Sequence, residues 1–559
     1  MQKNKVLLLS AASALLLTSC SSKLGTLSAD YFNVVPNPLE TQAGEVPATI
    51  NGMFPEKYMN KKAVVTVTPE LRYANGQVAR GNSATFQGEK VEGNDQTISY
   101  LVGGNYTMKT KFQYVPQMQK SEMYLTFDAK IGNKSVNVPA VKVADGVIAT
   151  SELYGRTLTS AQGCIAPDAF QRVTTQKHEA KIKFLIQQAN LRKSELQNNS
   201  VTEFVQLLQK INAEQETLNL NNVEVSAYAS PDGGVKLNDK LASQRQENSE
   251  KYVEQQLKKA KLETQVDAKY TAQDWEGFQE LVAASDIQDK DVILRVLSMY
   301  KDPEEREQQI KNMSVGFKEL ADGILPELRR ARLTINYEVI GRDDEQIEAQ
   351  LAADAKQLSV EEMLYSATLT ENAAEQENRY KKTTEIYPND ARAYNNIAAL
   401  EYAKGNYAEA KKYAQKALSI DPKSSEANAN LGLIALQAGD TKTAETYIAK
   451  ASTAEGLAEV LGNLHLAQGN YALAEQDFAK VNSNSAALSQ ILNKNYSAAA
   501  KTLANVKNAD AMTDYLTAIL NARQGNSGAA TAALRSAIAK DPTLASYASN
   551  DLELSKINK

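Results

Sequence analysis

A chain of 559 residues is too long for one hydrophobic core, and roughly 100–200 residues per domain points to three or four domains. The formal net charge is −5 and lysine and arginine are spread along the whole length, so no basic face marks a nucleic-acid partner. Tyrosine (25) far outnumbers tryptophan (1), a balance that suits mixed surfaces and not a membrane belt.

In chain order, the first element is a basic start, Lys3 and Lys5, before an apolar run from Val6 to Leu17. Its length and its small-residue ending fit a secretory signal and are too short for a spanning helix. The ending Leu17-Thr18-Ser19-Cys20 resembles the bacterial lipoprotein signal. That resemblance implies cleavage after residue 19 and acylation of Cys20, several acyl chains making a stable anchor where one would be marginal. Ser21, Ser22 and Lys23 follow, with no aspartate beside Cys20. By the same resemblance this places the chain on the cell outer membrane, facing the periplasm. Residues 20–27 are expected to be a tether. Cys164 then has no partner for an intramolecular disulfide and is expected to be a small buried apolar residue.

Residues 28–145 read as an all-β sandwich. "KAVVTVTPELRY" is rich in β-branched residues, and "MYLTFDAKI" alternates Met123, Leu125, Phe127, Ala129 and Ile131 against polar neighbours. Turn pairs such as Asn75-Gly76 and Gly132-Asn133 separate the runs. Residues 146–175 are expected to connect this domain to the next. From 176 to 341 the order is strand, helix, strand, helix, strand, helical insertion, strand, which fits an α+β domain. Ser200 with Glu203 makes a capping-box pattern for its first helix, over the stripe Val201, Phe204, Val205, Leu208 and Ile211. The last strand alternates Ala331, Leu333, Ile335, Tyr337 and Val339.

After a linker expected at 342–358, residues 359–559 are nearly all helical, beginning with the capping box Ser359/Glu362. Pro388 and Pro422 are 34 residues apart, as are Gly405 and Gly439, Ala410 and Ala444, and Ala417 and Ala451. Small residues at that period mark stacked helix pairs, because they let two helices approach closely. "AYNNIAALEYAKGNYAEAKKYAQKALSIDP" strongly resembles the tetratricopeptide repeat, with Tyr394 in the usual tryptophan position. Four or five repeats are expected, some shortened. The resemblance puts Arg392, Asn395 and Tyr402 on the concave face. The lysine and asparagine set with which some members clamp a peptide carboxylate is absent, its places including Ala399 and Glu426. A groove for an unidentified envelope protein is expected.

The stretch "YASPDGGVKLNDKLASQR" joins a strand to a helix through a Ser-Pro-Asp-Gly-Gly turn. Asn238 and Arg245 are seven residues apart, almost two helical turns, so they face the same way. Asn238 is expected to cap the helix. The stretch resembles the loop and helix of OmpA-like peptidoglycan-binding domains, with Gly233, Asn238, Leu241 and Arg245 in matching places. With "AQDWEGFQELV" and "LRRARLTINYEV" it is similar to the variant OmpA-like domain of Bacteroidetes-type lipoproteins. In that family an aspartate and an arginine hold the amine and acid of the wall peptide's diamino acid. Here Ser230 stands at the aspartate place and Asp232 follows two residues later, so Ser230, Asp232, Asn238 and Arg245 form the candidate ligand set. The plainer alternative is a turn made by Asp232 and Gly233 with Arg245 in a structural ion pair. Trp275 is expected to be a core anchor.

Nothing points to catalysis, a cofactor or a metal. His178 and His465 fall in different domains, and no phosphate loop, nucleophile elbow or zinc-spaced cysteine set occurs. The expectation is a non-catalytic, lipid-anchored scaffold that touches peptidoglycan through the α+β domain and a protein through the repeats. The alternative is an adaptor subunit of an outer-membrane assembly or secretion complex with no wall binding. A third and weaker class is an enzyme activity in the β domain.

Overall fold

The computed structural model describes residues 24–287, 289–312 and 318–557. The leader 1–19 and Cys20 lie outside the described residues. The chain divides into two compact units, one formed by residues up to 168 together with 367 onward, the other by 169–366.

The first unit begins with two packed sheets. Strands β1 (Phe32–Val35), β2 (Glu45–Phe54) and β7 (Gly104–Gln113) form an antiparallel sheet in the order β1-β2-β7. The second sheet uses β3 (Ala63–Tyr73), β4 (Gln77–Arg80), β5 (Ala84–Gly88), β6 (Gln96–Ile98), β8 (Ser121–Ile131) and β9 (Lys134–Gly146). Its order is β6-β5-β3-β8-β9, with β4 paired to β3. Period-two burial is plain on β2 (Val46, Ala48, Ile50, Phe54), β7 (Tyr106, Met108, Phe112) and β8 (Met123, Leu125, Ala129). The rings of Phe54, Phe86 and Tyr106 fill one end of this core, with centroids 4.4–5.3 Å apart. Asn75 and Gly76 both take the left-handed conformation the turn signal demands. The core starts earlier than expected: Leu24 and Leu27, assigned to the tether, are buried in it.

The helical part of this unit stacks five helix pairs among its described residues. The A-helices are Ala391–Ala403, Ser425–Gln437, Leu457–Ala467, Asn484–Leu492 and Ala511–Arg523. The B-helices are Tyr407–Ile420, Thr441–Ile448, Tyr471–Asp477, Tyr496–Ala504 and Ser527–Lys540. Four of the A-to-B turns carry a left-handed glycine, Gly405, Gly439, Gly469 or Gly525, and Lys494 takes the same conformation in the fourth repeat. That substitution is why the sequence signal weakens there. Ala410, Ala414, Ala417 and Ala444 are fully buried where helices cross. Gly432 and Gly462 bring helices closer still, since a Cβ on either would lie 2.5–2.6 Å from Ile448 or Phe478.

The second unit is a two-layer α+β fold. Its sheet has the order β10-β13-β11-β12, from β10 (Val173–Lys183), β11 (Leu218–Tyr228), β12 (Val266–Thr271) and β13 (Arg330–Ile340), with only the β11/β12 pairing parallel. Helices Asn199–Ala213 and Val235–Ala260 pack on one face over Ile182, Val223, Val225, Leu333 and Ile335. The insertion before β13 closes a small core of its own around Phe278, Val282, Ile293 and Leu320, and Trp275 packs against it. Four expectations are corrected. The first of these helices is capped by Asn198, whose carboxamide accepts the Val201 N–H, so Ser200 lies inside the helix. The long helix starts at Val235 with Gly234 as its cap, leaving Asn238 a turn inside. The presumed linker 342–358 holds the helix Asp344–Asp354, opened by an Asp343/Gln346 capping box and buried at Ile347 and Leu351. The following helix, Val360–Ser366, also belongs to this unit and not to the repeats. Arg342 ties it back by donating to both oxygens of Glu362 at 2.9 and 3.1 Å, and the Ser359/Glu362 box is formed.

Candidate functional site

The A-helices of the stack already hold a ligand: residues 150–168 of the chain itself. This strap runs from the last repeat toward the first. Thr150 donates to Glu553 at 2.8 Å, and Ser485 donates to Thr157 at 2.9 Å. Tyr402 donates to the Leu158 carbonyl at 3.0 Å. Asn430 grips Cys164 on both sides, accepting its N–H at 2.7 Å and donating to its carbonyl at 2.8 Å. Asn396 does the same at Ala166, at 2.7 and 3.0 Å. Asn395 adds a second donor to the Cys164 carbonyl at 2.9 Å. Gly163 presses onto a helix so closely that a Cβ would lie 2.9 Å from Ala399.

Of the expected groove residues, Asn395 and Tyr402 are buried against the strap, and Arg392 pairs with Asp390 at 2.7 Å. The sequence reading missed Asn396, Asn430 and Ser485. A usable signal existed: Asn396 and Asn430 each stand nine residues before the left-handed glycine of their repeat, Gly405 and Gly439. Cys164 is buried, and burial pushes its thiol up to about 12. Burial likewise pushes the Glu459 carboxyl up to about 7, although the Gln162 N–H donates to it.

In the second unit the strand–turn–helix makes a pocket with about 50 Å³ of free space, lined by Ile186, Ser230, Asp232, Leu237, Asn238, Arg245 and Arg329 among others. Asn238 secures the turn from inside the helix, its amide donating to the carbonyls of Ser230 and Gly233, both at 2.8 Å. Arg245 reaches the pocket, but its guanidinium is spent on main-chain oxygens. It donates to Tyr228 at 2.8 Å, Gln188 at 3.0 Å and Leu185 at 3.4 Å, and lies over the Phe184 ring. Burial, and then the neighbouring Arg329 charge, lowers its pKa to about 10. Asp232 accepts from Ser230 and pairs with Arg329 at 3.0 Å, and Arg329 also donates to Ser230 at 3.2 Å. The structural ion pair weighed for Arg245 is thus made by Arg329, which sequence reasoning did not single out. It comes from the approach to β13, 97 residues after Asp232.

Of the two histidines, His465 bonds Asp477 at 2.5 Å in the first unit, and His178 lies on β10 in the second. Among the described residues no group of three or more histidine, cysteine or carboxylate side chains is arranged to hold a metal ion. Nor is any described helix long and apolar enough to cross a membrane.

A family profile, the tetratricopeptide repeat, matches residues 401–461, from the end of the first A-helix into the third. Comparison with curated protein sequences gives no match. Among solved structures, the chain is similar to a tetratricopeptide repeat protein from Parabacteroides merdae, with 16% identity and a TM-score of 0.27, over 42% of this chain and 93% of that one. It is also similar to the structure described as the functional characterisation of Pseudomonas aeruginosa pilF, at 18% identity and a TM-score of 0.26, over 36% and 93%. A thermophilic repeat protein from Thermus thermophilus matches at 15% identity and a TM-score of 0.19, over 34% and 98%. The region 401–461 is thus a tetratricopeptide repeat segment, a fold that serves protein–protein contact.

Proposed function

We propose that this chain is a non-catalytic envelope scaffold, anchored by acylated Cys20 in the outer membrane and facing the periplasm. The observation that carries the reading is the strap. With the A-helix face filled by the chain's own backbone, the β-sandwich and the helix stack act as one platform. A partner protein then docks on the outer surfaces of that platform and not in the groove. The anchor part rests on the Leu17–Cys20 sequence, and an adaptor role in an assembly or secretion complex is the same chemistry with a named neighbour. Cross-linking the membrane-bound chain in cells and identifying what is captured tests it. Specific envelope proteins recovered with the wild type support the scaffold. A chain found free of the outer-membrane fraction and cross-linked to nothing refutes it.

A second reading, wall binding by an OmpA-like second unit, is favoured by one observation: Asp232 and Arg329 present opposite charges side by side in an open pocket. Such a pair suits an amine and a carboxylate of a wall peptide, with Arg329 in the acid-binding role expected of Arg245. Co-sedimentation with purified peptidoglycan tests it. Arg329→Ala abolishes binding if the pocket is the site, and wild-type protein that stays in the supernatant removes wall binding altogether.

A further inference from the structure

One end of the β-sandwich carries features that neither scaffolding nor wall contact uses. Phe54 at the end of β2 pairs with Gly104 at the start of β7, and Ala63 at the start of β3 pairs with Ile131 of β8, which defines that end. The loop between β6 and β7 projects two aliphatic side chains from it: Leu101 is 64% exposed and Val102 is 80% exposed. Met53, at the same end of β2, is exposed as well.

This tip is a built feature. The Lys57 N–H donates to the Tyr100 carbonyl at 2.6 Å, and Gly103 N–H donates to Ser99 at 3.0 Å. The Ser99 hydroxyl donates to Glu89 at 2.9 Å. Gly103 has a left-handed φ of +71°, and a Cβ there would lie 2.2 Å from the Phe54 carbonyl oxygen. The tight turn this permits is what throws Leu101 and Val102 outward.

The chain enters at the same end. Leu24 and Leu27 are buried in the sandwich core, and Tyr58, next to Lys57, donates to the Gly25 carbonyl at 2.9 Å. Four peptide steps separate Cys20 from Leu24, a reach of at most roughly 14 Å. Exposed lysines stand around the tip among the carboxylates Glu56, Glu89, Glu92 and Asp95. Lys57 is part of it, Lys90 N–H bonds the Lys61 carbonyl at 2.7 Å, and Gly132 N–H bonds the Lys62 carbonyl at 3.0 Å. Lys134 follows on the same hairpin. By contrast β9 leaves the sandwich for the strap at the opposite end, where Gly146 pairs with Ser121.

We propose that this end is a second membrane contact: Leu101 and Val102 enter the interfacial layer of the bilayer that holds Cys20, and the lysines meet its headgroup phosphates. An isolated pair of exposed aliphatics on a soluble surface needs no explanation. Here the pair sits within an acyl tether's reach of the bilayer, on a loop held by its own hydrogen bonds, beside lysines of which Lys57 and Lys61 lie 3.8 and 3.7 Å from Glu56 and Glu89, so the aliphatic pair and not net charge carries the contact. The contact fixes orientation, holding the sandwich upright with its strap end away from the membrane. It rests on the reading of Cys20 as acylated.

The experiment uses the mature lipidated chain in vesicles of phosphatidylethanolamine and phosphatidylglycerol. Val102→Cys is labelled with an environment-sensitive dye, Cys164 being buried and Cys20 blocked. Val78→Cys serves as the control, since Val78 is exposed on β4 against the far end of β3. The expected result is blue-shifted emission at position 102, quenched at least twofold by brominated lipid, with neither change at 78. Emission at 102 that matches 78 on chains whose N-terminal peptide carries acyl mass overturns the membrane contact alone. An N-terminal peptide without acyl mass overturns the anchor, and the contact with it.

Discussion

Asn430→Ala tests whether the strap is held by asparagine side chains. In the wild type the Asn430 carboxamide makes two bonds to Cys164 and donates to the Asn395 oxygen at 2.9 Å, all in a buried setting. Alanine leaves the Cys164 N–H with no acceptor, while its carbonyl keeps the Asn395 donor. Stranding one buried donor costs about 1–3 kcal/mol, and losing the two further bonds adds about 0.5–1.5 kcal/mol each. Partial relaxation removes some of this, so about 3 kcal/mol is expected, or roughly two orders of magnitude in a local opening equilibrium. Native-state amide exchange reads this directly. Cys164 and Ala166 exchange about a hundredfold faster in Asn430→Ala, while amides of β3 and β8 keep their rates. Asn430→Asp is harsher at the carbonyl, because an oxygen then faces an oxygen, yet it still accepts the Cys164 N–H. Unchanged exchange at 164 and 166 in Asn430→Ala refutes the reasoning, because the strap would then be held by something other than these side chains.

Other perturbations follow from single groups. Ala410→Leu or Ala444→Leu overpacks a fully buried helix crossing and costs roughly 1–3 kcal/mol, seen as a lower unfolding midpoint of the helical signal. Cys164 resists alkylation at pH 8 in the native chain and reacts once urea unfolds it, because its thiol is buried and pushed up to about 12. Arg245→Ala removes three bonds to main-chain oxygens, of which the Leu185 carbonyl keeps the Gln188 N–H, and destabilises the second unit by about 3 kcal/mol, an effect read in its urea midpoint; Arg245→Lys does not restore it, since one ammonium cannot reach three oxygens in a fork. Asp551, buried with Tyr515 donating to it at 2.7 Å, has its carboxyl pushed up to about 6 by burial. The folded value exceeds the unfolded one, so its contribution is intact below pH about 4, is lost as pH rises to about 6, and stays lost above. Asp551→Asn is therefore expected to be more stable than wild type at pH 7 by about 2–3 kcal/mol and no more stable at pH 4, by urea unfolding at both.

The parts of this fold that repeat or alternate were legible in the sequence. The 34-residue spacing of Gly405/Gly439 located two left-handed A-to-B turns, and that of Ala410/Ala444 located helix crossings that are fully buried. The alternation of Met123, Leu125 and Ala129 gave the buried face of β8. Weak cues misled where a stronger neighbour competed. Asn198 sits just before Ser200 and is the better cap, and Gly234 ends the turn before Asn238 can cap anything. The linker at 342–358 looked unstructured because its helix buries little more than Ile347 and Leu351.

The strap could not be read, for a physical reason. Asn395, Asn396 and Asn430 recognise main-chain N–H and C=O groups, which every residue carries, so a groove ligand held this way has almost no side-chain signature. What its sequence must supply is room. Gly163 allows the approach to Ala399, and Cys164 and Ala166 are small enough to be buried against the helices. The same reasoning explains Arg245. An arginine in the expected place on the helix is consistent with ligand binding or with tying down carbonyls, and the choice is made by residues 184–188, which curl over it. A charge becomes available to a ligand only when its partner is a group the ligand can replace, such as a side-chain counter-ion and not a fixed main-chain carbonyl. By that criterion Arg245 is a positioning element of the pocket, and the Asp232–Arg329 pair, which an incoming amine and carboxylate could exchange into, is where a ligand's charge would be felt.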